Sequence, residues 1–365
     1  MHLLNHTPAT RSEVESVLRC ESPQRPPLFL PAIYEHKASF IGSSPSAISR
    51  DAKLLTKALL AEFEAVQADA LTVGVDVYNI EAEAIGCKLT CHDSDDFSIP
   101  GIKPGGQVLH VGDDIKNAKL PNPLMDGRMP VNIAAARDIR KALGDAFWIR
   151  GAVCGPFSLA VSLVGAEELF MACLDDPEWV QDLLAYTSRI VREFSKAYLD
   201  VGVELIIFDS QASPDLLSPS MFRQFVLPAT QGLIQWAADQ GLRDIPLVIG
   251  GNTTPIAQLL IKTGANNLLC DFTGDLDEWI NLCRSHNRAL RRNIAPGLIE
   301  NNSAEEIYAA TKAEVASCID LPGFILGTAV IPFATPTEKI LAVRKACIDS
   351  WKNAPEQASI PKVES

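Results

Sequence analysis

The segment from Val203 to Pro214 constrains the fold of this chain more than any other. Its first half, up to Phe208, is an apolar run rich in branched residues, which is long enough for one buried strand and too short for a helix. Its second half turns polar at Asp209 and Ser210, and the final proline ends regular structure. Buried parallel strands have this pattern, and α/β proteins place their chemistry at the carboxyl ends of such strands. The structural alternative is that the acid and the hydroxyl only cap the turn.

The same pattern recurs along the chain, with short apolar strands separated for the most part by helix-length segments. Strands are predicted at residues 27–31, 70–75, 147–153, 203–208, 245–249, 267–270, 289–293 and 323–327. Helices are predicted at residues 51–67, 132–143, 177–198, 218–236, 253–262, 304–317 and 336–350. This alternation predicts an α/β fold, a single (β/α)8 TIM-type barrel. A doubly wound sheet would need a glycine-rich phosphate loop after the first strand, and residues 31–39 contain none.

Segments outside this repeat set the domain organisation. Residues 1–25 are polar, and we expect them to form a flexible lead-in, while residues 352–365 form a polar tail. No linker divides residues 26–351, which are predicted to be one barrel domain. The periodicity is lost from Gly86 to Pro130, so we expect a long excursion after the second strand. An irregular stretch of this length is usually a functional loop.

Composition and charge exclude several classes of function. A hydrophobic content of 47% and a charged content of 21% are typical of a globular protein with a large core. The net charge of −13 argues against a nucleic-acid-binding surface. Nine scattered cysteines favour buried thiols in a reducing compartment. The start of the chain lacks a signal-peptide pattern, and the longest uncharged run, between Arg150 and Glu167, is too short to cross a membrane, so we expect a cytoplasmic protein.

The carboxyl ends of barrel strands collect at one mouth, where active sites are built. The polar residues at or just after these predicted ends are His36, Lys37, Asp76, Glu81, Glu83, Asp209, Ser210, Asn252, Asp271, Asn293 and Thr328. The set is rich in carboxylates and poor in bases. Such a mouth suits the binding of a cation or the action of a general acid, because neighbouring carboxylates raise each other's pKa.

Five parts of the chain, spread over residues 26–350, carry a resemblance to a known family. They are residues 68–76 with 81–87, 155–160, 208–219, 251–255 and 332–338. In their order and spacing they resemble the uroporphyrinogen decarboxylase superfamily, which also contains cobamide-dependent methyltransferases. The segments from Glu81 to Cys87 and from Gly251 to Pro255 look more like the methyltransferase branch, the group of methylcobamide:coenzyme M methyltransferases.

The chain departs from the decarboxylase pattern of this family. Those enzymes carry an arginine-rich stretch after the first strand that holds the carboxylates of the substrate, and residues 32–37 here contain no arginine. The tyrosine of the decarboxylases falls on Ser162 and their late histidine near Thr328, so only Asp76 and Ser210 remain. The resemblance therefore implies this family without implying uroporphyrinogen decarboxylation itself.

The chain also departs from the methyltransferase branch, which binds zinc through a His-x-Cys sequence and a later cysteine. Those positions read Val248 to Gly250 and about Ala329, so we expect no zinc and no tightly bound cofactor. A short cluster of two cysteines and a histidine after residue 86 specifies little by itself. If zinc were bound, the ligands to test would be Glu81, Glu83, Cys87 and His92.

Three hypotheses follow for the function. The first is a methyltransferase that acts on a small molecule without the family's zinc, with a corrinoid presented by a partner protein. The second is a decarboxylase or lyase that acts on a small carboxylate, and the third is a binding or accessory barrel without catalysis; the oligomeric state is open, and a homodimer is among the options. The predicted catalytic residues are Asp76, Ser210, Glu81 and Glu83. The predicted substrate-binding residues are His36, Lys37, Tyr78, Asp209, Gln211, Asn252 and Asp271.

Overall fold

A computed structural model of the protein describes residues 7–21, 25–90 and 97–352. Within these ranges the chain alternates strands with helices. The strands are β1 Leu28–Ala32, β2 Leu71–Val73, β3 Ile149–Cys154, β4 Glu204–Phe208, β5 Leu247–Val248, β6 Asn267–Cys270, β7 Ala289–Ile294 and β8 Phe324–Val330. The helices are α1 Arg11–Leu18, α2 Pro45–Ile48, α3 Ala52–Val66, α4 Ile80–Ile85, α5 Met129–Leu143, α6 Pro156–Val164, α7 Ala166–Asp175, α8 Pro177–Asp200, α9 Pro219–Met221, α10 Leu227–Asp239, α11 Ala257–Lys262, α12 Leu276–His286, α13 Pro296–Asn301, α14 Ala304–Cys318 and α15 Thr337–Lys352. Short 3-10 helices follow β1, β4 and β5, at Glu35–Ile41, Ser210–Ala212 and Thr254–Ile256.

The strands close into a parallel barrel. Two four-stranded sheets have the orders β1-β8-β7-β6 and β2-β3-β4-β5. The sheets join at both seams, where Pro246 forms a parallel bridge to Asn267 and the Asp69 N–H donates to the Phe29 carbonyl oxygen at 3.1 Å. The strands therefore follow chain order around a closed ring. This confirms the predicted α/β barrel and places the carboxyl ends of its strands at one mouth.

Helices surround the barrel with their apolar faces inward. The longest, α8, begins at Pro177 as predicted, and Asp176 caps it by accepting a hydrogen bond from the Trp179 N–H at 3.1 Å. Pro228 follows a π-helical turn at Phe222–Val226, because proline has no N–H to continue the regular pattern. In the described ranges no single helix is both long and apolar enough to span a membrane, although α6 and α7, which meet at 109°, pass that test as a pair.

Helix α1 closes the amino end of the barrel. Val14 and Val17 are buried in one cluster with Trp148, which immediately precedes β3. The prediction of a flexible lead-in over residues 1–25 is therefore wrong for α1. Apolar residues spaced three and four positions apart give this short helix a face that the barrel floor covers, although the surrounding sequence is polar.

The excursion after β2 packs on the outside of the barrel. It follows α4, a helix that the sequence analysis did not predict. Further along, the Asp113 carbonyl oxygen accepts a hydrogen bond from Trp179 Nε1 at 3.0 Å, and the Lys119 carbonyl oxygen accepts one from the Tyr186 hydroxyl at 2.9 Å. Both donors belong to α8, so this helix anchors the irregular segment.

Candidate functional site

Tyr78 and Ser210 meet across the mouth of the barrel, beyond the ends of β2 and β4. The Tyr78 hydroxyl lies 2.8 Å from Ser210 Oγ, and the Gly250 N–H donates to the same Oγ at 3.3 Å. The Tyr78 ring packs edge-on against Phe208, with ring centroids 6.1 Å apart. Both hydroxyl residues are half-buried, so a ligand that enters the mouth meets a preformed pair of hydrogen-bonding groups.

Asp271 connects the ends of β5, β6 and β7. Its Oδ2 accepts a hydrogen bond from the Gly251 N–H at 3.1 Å, and its Oδ1 accepts one from Asn293 Nδ2 at 3.2 Å. Because Gly250 and Gly251 are adjacent, one hydrogen-bonded path runs from Tyr78 to Asp271. The structure thus brings together residues that the sequence analysis had only placed on separate strand ends.

Asp76 lies behind the mouth, with both carboxylate oxygens occupied. Its Oδ1 accepts hydrogen bonds from the N–H groups of Tyr78 and Asn79 at 2.9 and 3.0 Å, and its Oδ2 pairs with Arg128 Nη2 at 2.8 Å. Only 1% of Asp76 is exposed. The carboxylate therefore holds the segment that carries Tyr78, and its charge-assisted contacts do not favour the predicted role in proton transfer.

Arg128, which the sequence analysis missed, is the centre of a buried ion network. Besides pairing with Asp76, it pairs through Nε with Glu83, and Glu83 Oε1 pairs with Arg50 Nη2 at 3.0 Å. These ion pairs favour a structural role for Glu83, because removal of one partner of a buried ion pair leaves the other charge uncompensated. A group of acids as dense as Asp76, Glu81 and Glu83 indicates that a cation lies nearby, but the sequence does not say which arginine supplies it.

Glu81 is a buried acid whose pKa is raised toward neutral pH. It is 1% exposed and accepts a hydrogen bond from the Cys154 N–H at 2.7 Å. Burial, with a smaller contribution from the negative charge of Asp76, raises the pKa of Glu81 to about 7. Burial also raises the pKa of the Cys154 thiol, which is therefore a poor nucleophile. Of the four predicted catalytic residues, Glu81 has the electrostatic setting that best fits a proton acceptor.

Asp209 faces the start of α6 and is completely buried. Its Oδ1 accepts a hydrogen bond from the Ser158 N–H at 2.7 Å, which satisfies a free N–H group in the first turn of that helix. A side chain at Gly155 would overlap the Asp209 carboxylate, so this close approach requires glycine. Burial raises the pKa of Asp209 to about 6. The side chain makes no cap hydrogen bond in its own turn after β4, so the capping alternative of the sequence analysis does not describe it, and substrate contact by Asp209 stays a prediction.

Lys37 is buried beside β2. Its Nζ donates to the carbonyl oxygens of Thr72 and Gly74 at 3.0 and 2.6 Å, and it lies 3.6 Å from Glu62 Oε2. None of the lysine is exposed. Because these groups already surround the amine, the placement argues against the predicted role of Lys37 as an anchor for a substrate carboxylate.

His36 joins the loop after β1 to the loop after β8. Its Nδ1 lies 3.0 Å from the carbonyl oxygens of both Pro332 and Phe333, and its ring packs edge-on against Phe40. Burial lowers the pKa of His36, which favours the neutral imidazole. A buried neutral histidine is a weak partner for an anion, so this placement also argues against a substrate-binding role.

Asn252 and Gln211 lie on the exposed rim of the mouth. Asn252 Oδ1 accepts a hydrogen bond from the Thr254 N–H at 3.2 Å, in the turn that follows β5. The Gln211 N–H donates to Ser158 Oγ at 3.1 Å, while its side chain is exposed. Substrate contact through these two exposed amide side chains stays a prediction.

Two arginines inside the barrel were also missed. Arg150 on β3 and Arg291 on β7 are 4% and 3% exposed. Arg150 Nε donates to Thr72 Oγ1 at 2.9 Å, and Arg291 Nε donates to Asn293 Oδ1 at 3.0 Å. The alternation of side chains along a strand puts Arg291 on the same inward face as Asn293. For Arg150 the available signal was a charged residue within an otherwise apolar predicted strand, because such residues are rarely buried without a reason.

The residues present do not fit the zinc site of the methyltransferase branch. Val248, Ile249 and Gly250 offer no side-chain ligand at the end of β5, and neither does Ala329 on β8. Across residues 7–21, 25–90 and 97–352, no group of three histidine, cysteine or acidic side chains is arranged to hold a metal ion. His92, one ligand of the alternative site, lies outside the described residues.

Comparison with known proteins identifies the family. The model of the uroporphyrinogen decarboxylase (URO-D) family matches residues 9–349. The chain belongs to this family. Among curated relatives, the methylated-thiol–coenzyme M methyltransferase of Methanosarcina mazei is 23% identical over 81% of this chain and 77% of its own length. The uroporphyrinogen decarboxylase of Nocardia farcinica is 30% identical, over 50% of this chain and 53% of its own length.

Further matches agree with this assignment. The methylcobamide:CoM methyltransferase MtbA of Methanosarcina mazei is 26% identical over 72% of this URO-D family chain and 75% of its own length. A solved structure of a methyltransferase from Methanosarcina mazei superposes with a TM-score of 0.83, at 21% identity, over 93% of this chain and 99% of that one. The structural match confirms the barrel fold, and the curated relatives place the methyltransferase branch among the similar proteins, as the sequence motifs implied.

Proposed function

We propose that this chain catalyses methyl transfer between a corrinoid and a small molecule at the mouth of the barrel. The observation that carries the proposal is the difference in coverage between the two kinds of relative. Methyltransferase relatives match from 51% up to 83% of the chain, whereas the decarboxylase relatives match 50% to 63%. Relatives named for methylcobamide, which is a corrinoid, support the choice of methyl donor or acceptor.

The rim of the mouth fits a large apolar ligand. Leu216, Phe272 and Val330 follow or end β4, β6 and β8, and they are 52%, 39% and 43% exposed. Large exposed hydrophobic side chains at one end of a barrel favour an interaction surface. We assign this rim to a corrinoid presented by a partner protein, which therefore acts as a substrate and not as a resident cofactor.

The reacting groups are assigned from the geometry of the mouth. Tyr78 and Ser210 orient the small molecule, and Glu81 takes its proton. The acceptor atom forms a bond to the methyl group, while the bond between the methyl group and the corrinoid breaks and leaves its electron pair on the corrinoid. No zinc takes part, so a thiol acceptor must lose its proton to a protein carboxylate.

A second candidate function is decarboxylation of a small carboxylate. The pair Arg150 and Arg291 favours it, because guanidinium groups hold carboxylates and the sequence analysis had found no arginine for this role. Release of carbon dioxide from candidate acids, without any methyl donor, separates this function from methyl transfer.

The test uses the purified full chain, methylcobalamin as the methyl donor and a panel of small thiols, with a zinc chelator present throughout. We expect a protein-dependent change in the cobalamin absorbance and a methylated product. Ser210→Ala should slow the reaction by about tenfold or more, since it removes one orienting hydrogen bond. Arg137→Gln, at an exposed position of α5, is the matched control and should leave the rate unchanged. No methylated product from any thiol, or a reaction that requires added zinc, contradicts the proposal.

A further inference from the structure

The barrel interior holds two cations that no acidic side chain neutralises directly. Arg150 and Arg291 point inward from β3 and β7, and neither forms an ion pair with any residue in the described ranges. The acids of this region have other partners. Glu62 pairs with Lys37, and Asp271 accepts hydrogen bonds from Gly251 and Asn293. Burying an uncompensated charge is costly, so the pair calls for an explanation.

Both guanidinium groups have hydrogen-bonding capacity left over. Arg150 donates from Nε to Thr72, and Arg291 donates from Nε to Asn293 and from Nη2 to the Thr328 carbonyl oxygen at 3.4 Å. Within the described part of the chain, the terminal nitrogens of Arg150 and Nη1 of Arg291 make no hydrogen bond. An arginine carries several N–H donors in one plane, so each of these two side chains still has N–H groups that can donate to a ligand.

Tyr34 brings a third donor to the same place. Its ring packs edge-on against Phe208, with centroids 5.9 Å apart, and its hydroxyl makes no hydrogen bond to another described residue. Burial raises the pKa of Tyr34 to about 12, although the positive charges of Arg291 and Arg150 oppose that rise. Tyr34 packs in one buried cluster with Ala152 of β3, the strand that carries Arg150, and at neutral pH its phenol is a donor.

The interior is shaped to admit these side chains. A Cβ atom at Gly327 would overlap Arg291 Nε and Asn293 Oδ1, so glycine at this position of β8 leaves the space that the guanidinium occupies. Burial, and after it the charge of Arg291, lowers the pKa of Arg150 to about 9. The two cations thus repel each other, and an anion between them would relieve that repulsion.

We propose that Arg150, Arg291 and Tyr34 bind the carboxylate end group of a small-molecule substrate inside the barrel. A carboxylate is planar and accepts hydrogen bonds at two oxygens, which suits the fork of a guanidinium group. Anchored at this depth, the substrate presents its other end to Tyr78 and Ser210 at the mouth. That orientation rests on the proposed function, whereas binding of the carboxylate does not.

The experiment measures binding of acetate to the full chain by calorimetry, with chloride used to keep the ionic strength constant. Methanesulfonate and inorganic phosphate are tested in parallel, because they have the charge of an oxyanion without the planar shape. Arg150→Gln and Arg291→Gln should each weaken acetate binding by about tenfold or more, the scale of a charged hydrogen bond. Tyr34→Phe, which removes a single hydroxyl, should weaken it severalfold, and Arg137→Gln should bind as the wild type does.

Thermal unfolding without acetate checks that the variants fold. Removing one of two repelling buried charges should not lower the melting temperature, whereas added acetate should raise it in the wild type more than in either arginine variant. The proposal is overturned if the wild type shows no saturable acetate binding, if both arginine variants bind acetate like the wild type, or if only phosphate binds. Because no methyl donor is present, a failure here leaves methyl transfer intact, and a failure of methyl transfer leaves this binding site intact.

Discussion

The two ends of the barrel use the same residue types in opposite ways. At the amino end, Asp69 pairs with Arg25 at 2.8 Å and Asp244 pairs with Arg19 at 2.7 Å. Glu204 is likewise flanked by arginines from α1 and α5. Each acid precedes or opens a strand and is buried. The acids at this end all have ion-pair partners within the protein, as expected where a barrel end serves stability.

In the barrel interior and at its carboxyl end, some donors and acceptors remain without protein partners. Arg150 and Arg291 retain free donating nitrogens, and among the described groups Asp209 Oδ2 has no hydrogen-bond partner. Asp76 and Asp271 are exceptions, because both oxygens of each carboxylate accept hydrogen bonds from the protein. The comparison teaches that residue type alone does not mark a functional group; what distinguishes it is hydrogen-bonding capacity that folding leaves unused.

The largest effect is expected at the amino end. Asp69→Ala removes the acceptor of the Ala9 and Phe29 N–H groups, both at 2.7 Å, and leaves Arg25 buried without its main partner. We expect the free energy of unfolding to fall by about 3–5 kcal/mol, measured by urea denaturation. Acetate binding per folded molecule should not change.

Asp239→Ala, at an exposed position of α10, is the control for Asp69→Ala and should leave stability within about 0.5 kcal/mol of the wild type. A loss of stability no larger than that control would show that the amino end is not held by its ion pairs. It would also remove the contrast between the two ends.

Asp76→Asn should affect stability and activity together, because both oxygens of this carboxylate have protein partners and it holds the segment that carries Tyr78. Loss of its charge weakens the pair with Arg128, which Glu83 still contacts, so we expect a destabilisation of about 1–3 kcal/mol. Methyl transfer per folded molecule should fall by on the order of a hundredfold, since Tyr78 would lose its fixed position. Denaturation and rate measurements on the same sample test both parts. Full activity per folded molecule would assign Asp76 a structural role only.

These outcomes also show what the sequence could and could not predict. The barrel followed from the spacing of apolar segments, and this local periodicity also placed Ser210 and Asp271 at strand ends. The pairing of Asp76 with Arg128 spans 52 positions along the chain and has no periodic signal. Lys37 shows the limit of such patterns, because a lysine after a strand has the same appearance in a sequence whether its amine contacts a ligand or backbone carbonyl groups.

The smallest expected effect concerns the pH dependence of stability. In the folded protein the pKa of Glu81 is raised from 4.5 to about 7, so between these values the folded state holds a proton that the unfolded state has released. The contribution of Glu81 to stability is therefore present at low pH and is lost as the pH rises through about 7. Glu81→Gln should remove this loss, making the pH dependence between pH 5 and 7 shallower by up to about 1.4 kcal/mol per pH unit.

Urea denaturation at several pH values measures the effect of Glu81→Gln. Glu305→Gln, at an exposed position of α14, is the control and should keep the slope of the wild type. An unchanged slope in Glu81→Gln would mean that Glu81 is ionised throughout this range. Its pKa would then lie near that of a free carboxyl group, and it would be a weaker base than the proposed proton acceptor.

The difference between the two barrel ends is tested most directly by hydrogen–deuterium exchange of the full chain with and without methylcobalamin. We expect methylcobalamin to slow backbone exchange in residues 208–216, 249–254 and 271–275 at the mouth, and to leave exchange in α1 unchanged. Protection at the mouth that disappears when Leu216, Phe272 and Val330 are replaced by serine would assign the apolar rim to the corrinoid. Equal protection of α1 and the mouth, or no protection at the mouth, would contradict the assignment of function to the carboxyl end.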